Sequence, residues 1–466
     1  MSSPTTHSQT APEEGAGATR TIAEWASGVD APTMPPEVRH HGRRMILDYL
    51  AAAAAGSRTE LSRTLREHFR RAEPGRAATV IGGPSLTATA AAYVNGAAAH
   101  GLELDDGYTP GSVHPGGCVV PAVLAAGEAR GSTIDDLAVA VVVGVEVVTR
   151  IAEAGHPSVL RAGFHNTPAA GVFGAAAGVG RLLRLSPDAL AGALGLAGSS
   201  AGGLREYHAH GSEVKRLHTG KAAREGVMCA ELAAAGVFGP DTILEGRDGY
   251  FAAFARGVWR PEVLLSGLGR EWKAMRTYVK PYPCCRHLHG AIDATRVLRD
   301  AVRDAVGDDL SRIERVRVGT FDLAARLDRT APTTVMQAQF SLPFAVSATL
   351  AHGIVDLSTF ESARWEDPEV KALSQRVSVH LDEAAQSAYP RERAAEVEIT
   401  LRSGEVLRHR VAHPLGEPEN PLSDADIEAK FRALATPVLG AERVDAALEQ
   451  AWRGNDVRAL TTALAE

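Results

Sequence analysis

The chain has 466 residues, 45% hydrophobic and 23% charged, the makeup of a globular protein too long for one ordinary core, so two domains are expected. A net charge of −7 argues against a nucleic-acid binder, which would present a basic face, but leaves room for a local cationic pocket. The four cysteines (Cys118, Cys229, Cys284, Cys285) form no CxxC pair and read as reduced thiols in a cytoplasmic protein.

Residues 1–19 are rich in Ser, Thr, Ala and Glu, lack an apolar run and read as a disordered tail rather than a signal peptide. Residues 20–56 read as one or two helices with a break around Pro32–Pro36. Residues 87–101 form a helix of small residues running into an acidic loop at Asp105. Ser132 is placed to cap a helix over 137–151, with Asp135 adding charge to its first turn. The apolar run 137–145 ends at Glu146, far short of the ~20 residues that span a bilayer. Further helices are expected over 167–183, 187–200 and 221–236, punctuated by glycines that allow close packing.

The pattern changes after Tyr278. Ile313, Val316 and Val318, then Val377, Val379 and Leu381, alternate with polar residues as half-buried strands do. Two strands around Val397–Leu401 and 406–411 flank a turn at Arg402–Ser403–Gly404, a β-hairpin. Helical pattern returns at Ser423, a plausible cap. The fold expected is mainly α: a large helical domain formed by both chain ends (20–278 and 418–466) with an inserted smaller α/β domain over 279–417.

Polar residues concentrate among glycines in four segments: 103–115, 163–167, 204–218 and 280–289. The spacings His208/His210 and His287/His289 resemble metal-ligand pairs, but no HExxH, CxxC or third ligand completes a set, so no metal is expected. Gly171, Gly174, Gly178 and Gly180 lie inside an apolar helical pattern rather than between a strand and a helix, which argues helix packing and not a nucleotide site.

Together these segments resemble the MmgE/PrpD family, which includes 2-methylcitrate dehydratase, cis-aconitate decarboxylase and an iminodisuccinate epimerase. His100 through Asp106 to His114–Pro115 is similar to the family's first signature loop, and Gly163–Phe164–His165 to its second. Lys215, His218, Gly220 and Gly226, followed by Leu232, Gly236 and Pro240, resemble the third. Glu245–Gly246 and the stretch from Lys280 to Asp293 complete it. The resemblance implies a helical domain with an α/β lid, a homodimer, no cofactor, and a site between body and lid. Decarboxylase-like members place functional groups at positions matching Glu103, Gly107, His114, His165, Lys215 and Cys285. His114, His165 and Lys215 keep the family residue, whereas Glu103 replaces an aspartate, Gly107 a threonine and Cys285 a histidine. The tyrosine those members carry in the lid has no counterpart over 321–325.

The reactions of such a family place negative charge on an already anionic substrate, so cations and hydrogen-bond donors aimed at that charge are the main requirement. By type, Lys215 and Arg286 are expected to hold carboxylates and His114 and His165 to share base and acid roles. Glu103, Asp105, Cys285 and His289 are expected to contact the substrate, with Asp105 orienting His114. The expected activity is that of a cofactor-independent, dehydratase-like lyase on a small di- or tricarboxylic acid. The alternatives are an epimerase or isomerase of an imino- or hydroxy-dicarboxylate, and a cis-aconitate-type decarboxylase.

Overall fold

The computed structural model describes residues 15, 17–207 and 212–465. The expected tail lies mostly outside these residues, but Ala18 and Thr19, assigned to it, open the first helix and are buried. His208 and His210 also lie outside the described residues.

The body is a pile of helices: α1 (Ala18–Gly28), α2 (Pro36–Gly56), α3 (Glu60–Ala72), α4 (Ala88–Ala99), α5 (Gly116–Arg130), α6 (Ile134–Gly155), α7 (Asn166–Leu182), α8 (Pro187–Ser200) and α9 (Val214–Ala234). The break between α1 and α2 ends at Pro36, a first-turn position where a missing N–H costs nothing. A two-stranded antiparallel ribbon, β1 (Pro74–Thr79) with β2 (Ser85–Leu86), separates α3 from α4.

Small residues set the helix spacing. A Cβ on Gly220 of α9 would lie 2.2 Å from the Tyr93 carbonyl oxygen of α4. One on Gly174 of α7 would lie 2.4 Å from the Gly144 carbonyl oxygen of α6. α6 is buried along nearly all its length, which accounts for its all-round apolar sequence.

Two expectations are corrected. The cap of α6 is Thr133, whose hydroxyl accepts the Asp136 N–H at 3.0 Å, and Ser132 instead follows the left-handed Gly131 that ends α5. α9 begins at Val214 rather than 221, so Lys215 and His218 stand on its first turns, three residues apart and on one face.

The inserted unit contains α10 (His289–Val306), β3 (Ile313–Thr320), α11 (Leu342–His352), β4 (Val377–Leu381), β5 (Ala395–Leu401) and β6 (Val406–Val411). Its sheet has the order β4-β3-β5-β6, with β3 parallel to β4 and antiparallel to β5, and β5 and β6 forming the hairpin with Ile399 opposite Leu407. α10 covers β5 and β6, and α11 packs on α10. Val316, Val318, Val397 and Ile399 face this covered side and are fully buried.

The chain then returns as α12 (Asp424–Leu439), α13 (Ala441–Arg453) and α14 (Val457–Leu464). α12 opens on a capping box between Ser423 and Asp426 and lies against α2. Ile427 and Phe431 therefore join the apolar core that α1 to α9 build, while Tyr282 to Leu401 supply a second, separate core. Among the described residues no helix is long and apolar enough to cross a membrane, and all four cysteines are free thiols.

Candidate active site

The loop from α4 to α5 carries the first set of functional groups. His100 closes α4, and Glu103 is held at φ 56, a left-handed conformation that a bulky residue adopts only under constraint. The constraint is ionic. The Glu103 carboxylate accepts hydrogen bonds from the Lys215 ammonium of α9 and, at 3.3 Å, from the Lys280 ammonium. Lys280 also stands 3.9 Å from Asp105. Burial alone would raise the Glu103 pKa, but the two lysines outweigh it and hold the carboxyl well below its ordinary range. Burial likewise opposes the Lys280 charge, and Glu103 with Asp105 overcomes it and raises the ammonium above its usual value.

Asp105 accepts from His100 Nδ1 at 2.6 Å and lies 3.5 Å from His114 Nδ1. His114 Nδ1 is 2.6 Å from the Asp106 carbonyl oxygen. A carbonyl only accepts, so Nδ1 carries the hydrogen and neutral His114 presents a lone pair at Nε2. Burial pushes this imidazole down to about 3, so it is unprotonated at neutral pH. The Asp106 carboxylate faces away from this chemistry and accepts the Gly116 N–H at the start of α5 at 3.0 Å.

His165 enters from a second loop. Gly163, at φ 95, turns the chain so that Phe164 bridges to Leu204 and the His165 N–H reaches the Gly203 carbonyl at 2.9 Å. The His165 side chain does not cap α7. It meets His218 of α9, Nδ1 to Nδ1 at 3.0 Å, and both rings pack edge-on to Tyr207. His114, His100 and His165 form a row, the His100 ring centre lying 5.0 Å from that of His114 and 6.2 Å from that of His165.

Across this floor lies the inserted unit. A cavity of about 390 Å³ is walled by Glu103, Lys215 and Tyr207 of the body and by Arg326, Arg329, Met336 and Phe340 of the insert. Lys215 Nζ is 6.0 Å from the Phe340 ring centre. Gln339 ties the two halves by donating to the carbonyls of Leu102 and Pro283 while its own carbonyl accepts from Cys285. Cys285 is half-buried, and burial raises its thiol pKa.

Six of the sequence-derived residues thus gather here: Glu103, Asp105, His114, His165, Lys215 and Cys285. Arg286 and His289 do not join them. Arg286 spends its guanidinium on Glu417 (3.0 Å), the Leu415 carbonyl (3.0 Å), the Pro414 carbonyl (3.3 Å) and His289 Nδ1 (2.8 Å), and lies over the Tyr278 ring. His289 is fully buried against Tyr282 in the core of the insert. Charge and position in a motif suggested a ligand role for both, and their buried partners make them struts that tie the two ends of the insert together. His287 and His289 lie on a 3₁₀ turn and at the start of α10 rather than on a strand, and His287 accepts from Arg393 at 2.9 Å.

Lys280, His100, His218 and Tyr207 were not singled out from sequence. All four stood inside segments or motifs already noted, but were given no role there, and their burial is a tertiary fact. Gly107 gains a reason as well: a Cβ there would lie 2.2 Å from the Tyr278 hydroxyl, so Tyr278 occupies the space that a threonine would need.

Among the described residues, His100, Asp105 and His114 offer ligand atoms within 4.8 Å of one another. The Nδ1 atoms of both rings are committed, whereas His100 Nε2 and Asp105 Oδ1 have no hydrogen-bond partner among the described residues. His114 Nδ1 serves the Asp106 carbonyl, His100 Nδ1 serves Asp105, and the Lys280 ammonium beside Asp105 already supplies a positive charge.

The site thus places the Lys215 ammonium on the cavity wall, with the Lys280 ammonium and neutral imidazoles buried behind it. The MmgE/PrpD N-terminal domain model matches residues 20–261 and the C-terminal domain model residues 282–454. A cis-aconitate decarboxylase of Aspergillus terreus is 31% identical over 451 residues, covering 92% of this chain and 91% of that one. The cis-aconitate decarboxylases of Homo sapiens (450 residues; 92% and 90%) and Mus musculus (438 residues; 92% and 88%) are each 28% identical. With both domain models matched in order across a helical body and its insert, the chain belongs to the MmgE/PrpD family.

Proposed function

We propose that this protein is a lyase that needs no cofactor and dehydrates a small hydroxy di- or tricarboxylic acid by removing a proton beside a carboxylate. One observation carries the reading: Lys215 and Lys280 converge on Glu103, which lines the cavity together with Lys215, and the neutral imidazole of His114 stands buried behind them. In the free protein Glu103 neutralises the lysines. A substrate carboxylate competes for the same hydrogen bonds, and Arg329 offers further positive charge from the insert, where Arg326 is paired with Asp322. Proton removal builds charge on the carbon, and fixed ammonium groups in a dry cleft stabilise it. His114, whose tautomer leaves Nε2 free, is the base. His165, across the row, is the acid for the departing hydroxyl. The names of the relatives support lyase chemistry on a polycarboxylate.

A second reading, decarboxylation, draws on those same names. Glu103, Gly107 with Tyr278 packed into its space, and Cys285 weigh against it, because the decarboxylase-like pattern has different groups at all three positions.

The deciding experiment is an NMR time course in D₂O with purified protein and a panel of 2-methylcitrate, citrate, cis-aconitate, tartrates and iminodisuccinates. A vinyl proton growing from a hydroxy acid at constant carbon count supports dehydration. Carbon dioxide released from cis-aconitate establishes the second reading. Deuterium entering an α-carbon with neither product overturns both in favour of an epimerase.

A further inference from the structure

The two histidines closest to the chemistry are held by different kinds of partner. His114 Nδ1 faces a carbonyl oxygen at 2.6 Å, which fixes one tautomer. His165 Nδ1 faces another imidazole nitrogen, His218 Nδ1, at 3.0 Å. Two ring nitrogens at that separation share one hydrogen, since two N–H groups or two lone pairs would repel.

A neutral pair with one shared hydrogen has two arrangements. With the hydrogen on His165, Nε2 of His165 bears a lone pair and Nε2 of His218 bears a hydrogen. With it on His218, the two outer nitrogens exchange roles. Shifting the shared hydrogen therefore turns His165 from base to acid without placing a charge in a buried site, where a charge would be costly. Burial does hold both rings neutral, lowering His165 well below its ordinary value and His218 to about 4. The charged and titratable neighbours add to this: His100, His114 and Lys215 face His165, while His100, Lys215 and Lys221 face His218. Tyr207 packs on both rings.

We propose that His218 is a positioning residue that keeps His165 in its acid form and replenishes the proton His165 donates. This rests on the hydro-lyase reading above. The substrate C–H bond breaks, its electron pair stays on carbon and the proton goes to His114 Nε2. The C–O bond then breaks with its pair on oxygen, which takes the His165 Nε2 hydrogen and leaves as water. His165 Nδ1 takes the shared hydrogen from His218, and His218 Nε2 takes one from solvent water. In the empty site His114 returns its proton by way of water to His165 Nε2, the shared hydrogen moves back to His218, and His218 Nε2 releases its hydrogen to solvent. The sum is loss of one water.

The test compares wild type with His218→Asn on a dehydrated hydroxy acid and on its chloro analogue, whose chloride leaves without a proton. His218→Asn is expected to lower kcat on the hydroxy acid about 100-fold, with KM within about threefold and an altered acid limb of the pH profile. Its rate on the chloro analogue stays near that of wild type. An unchanged kcat on the hydroxy acid, or equal losses on both substrates, overturns the proposal. Nitrogen-15 NMR of histidine-labelled wild type tests the pair without turnover. One protonated and one bare Nδ1, or shifts averaged between those two states, support it, and two protonated or two bare Nδ1 signals overturn it. If the shared hydrogen is seen but no hydroxy acid loses water, the function reading fails and the His pair stands.

Discussion

Lys280 shows how burial changes what a residue means. In sequence it is one of 49 basic residues, and most lysines are solvated. In the fold it is 1% exposed, and Glu103 and Asp105 sustain its charge. Replacing it leaves two carboxylates buried with less compensation, and breaking such a buried pair costs about 3–5 kcal/mol. Lys280→Met is therefore expected to destabilise the protein by roughly that amount and to cut turnover at least about 100-fold. The double variant Lys280→Met/Glu103→Gln recovers much of the stability in a denaturant titration and none of the turnover. Equal stability of the single and double variants would show that the ion pair does not hold this loop. Arg286 is the converse case. Its charge and its place beside Cys285 suggested a substrate ligand, but which carbonyls surround a guanidinium is decided by loops more than 120 residues away in sequence, at Pro414 to Glu417.

Elements with a strong apolar period were legible, and those whose faces are set by the site were not. α8 and the β5–β6 hairpin announce themselves through Pro187 and through alternating valines and isoleucines around Gly404. The start of α9 does not, because residues 214–219 carry Lys215 on the cavity wall and buried His218 and Thr219 rather than an apolar stripe. Its helical state there is imposed by packing against α4 and α7. That packing depends on absent side chains. Gly220→Ala drives a methyl toward the Tyr93 carbonyl, and overpacking of this kind costs about 1–3 kcal/mol. Thermal unfolding should show a lowered midpoint, and because α9 also carries Lys215 and His218, a fall in turnover should accompany it. An unchanged midpoint would mean the helices can move apart freely.

At the scale of the whole molecule, both chain ends close on the same core. α12 brings Lys430 to the Asp48 carboxylate of α2 and, at 2.9 Å, to the Leu104 carbonyl in the middle of the site loop. The loop is thus clamped from the body side by Lys430 and from the insert side by Lys280. The same compactness sets the response to acid. Burial lowers the pKa of His41 to about 4, of His114 to about 3, and of His165, His287 and His289 well below the ordinary value. Below about pH 6.5 the unfolded chain binds protons at these positions while the folded chain does not, so stability falls as pH falls. Each imidazole can remove up to about 2 kcal/mol between about pH 6.5 and about pH 5. Asp106, whose buried carboxyl is raised well above its ordinary value, acts in the opposite direction and returns part of this. Denaturant midpoints at pH 7 and pH 5 should show a net loss at pH 5, and equal midpoints would mean that these imidazoles are not held neutral.

The sequence by itself determined the helical class, the strands of the insert and the family, because periodicity, turn residues and motif order are local properties of the chain. It also marked His114, His165 and Lys215, whose neighbours along the chain are unusual. Tertiary structure alone decided that Lys280 and His218 join them while Arg286 and His289 become struts. The reason is physical: a side chain's role follows from what desolvates it and what pairs with it, and those partners come from segments far apart in the chain.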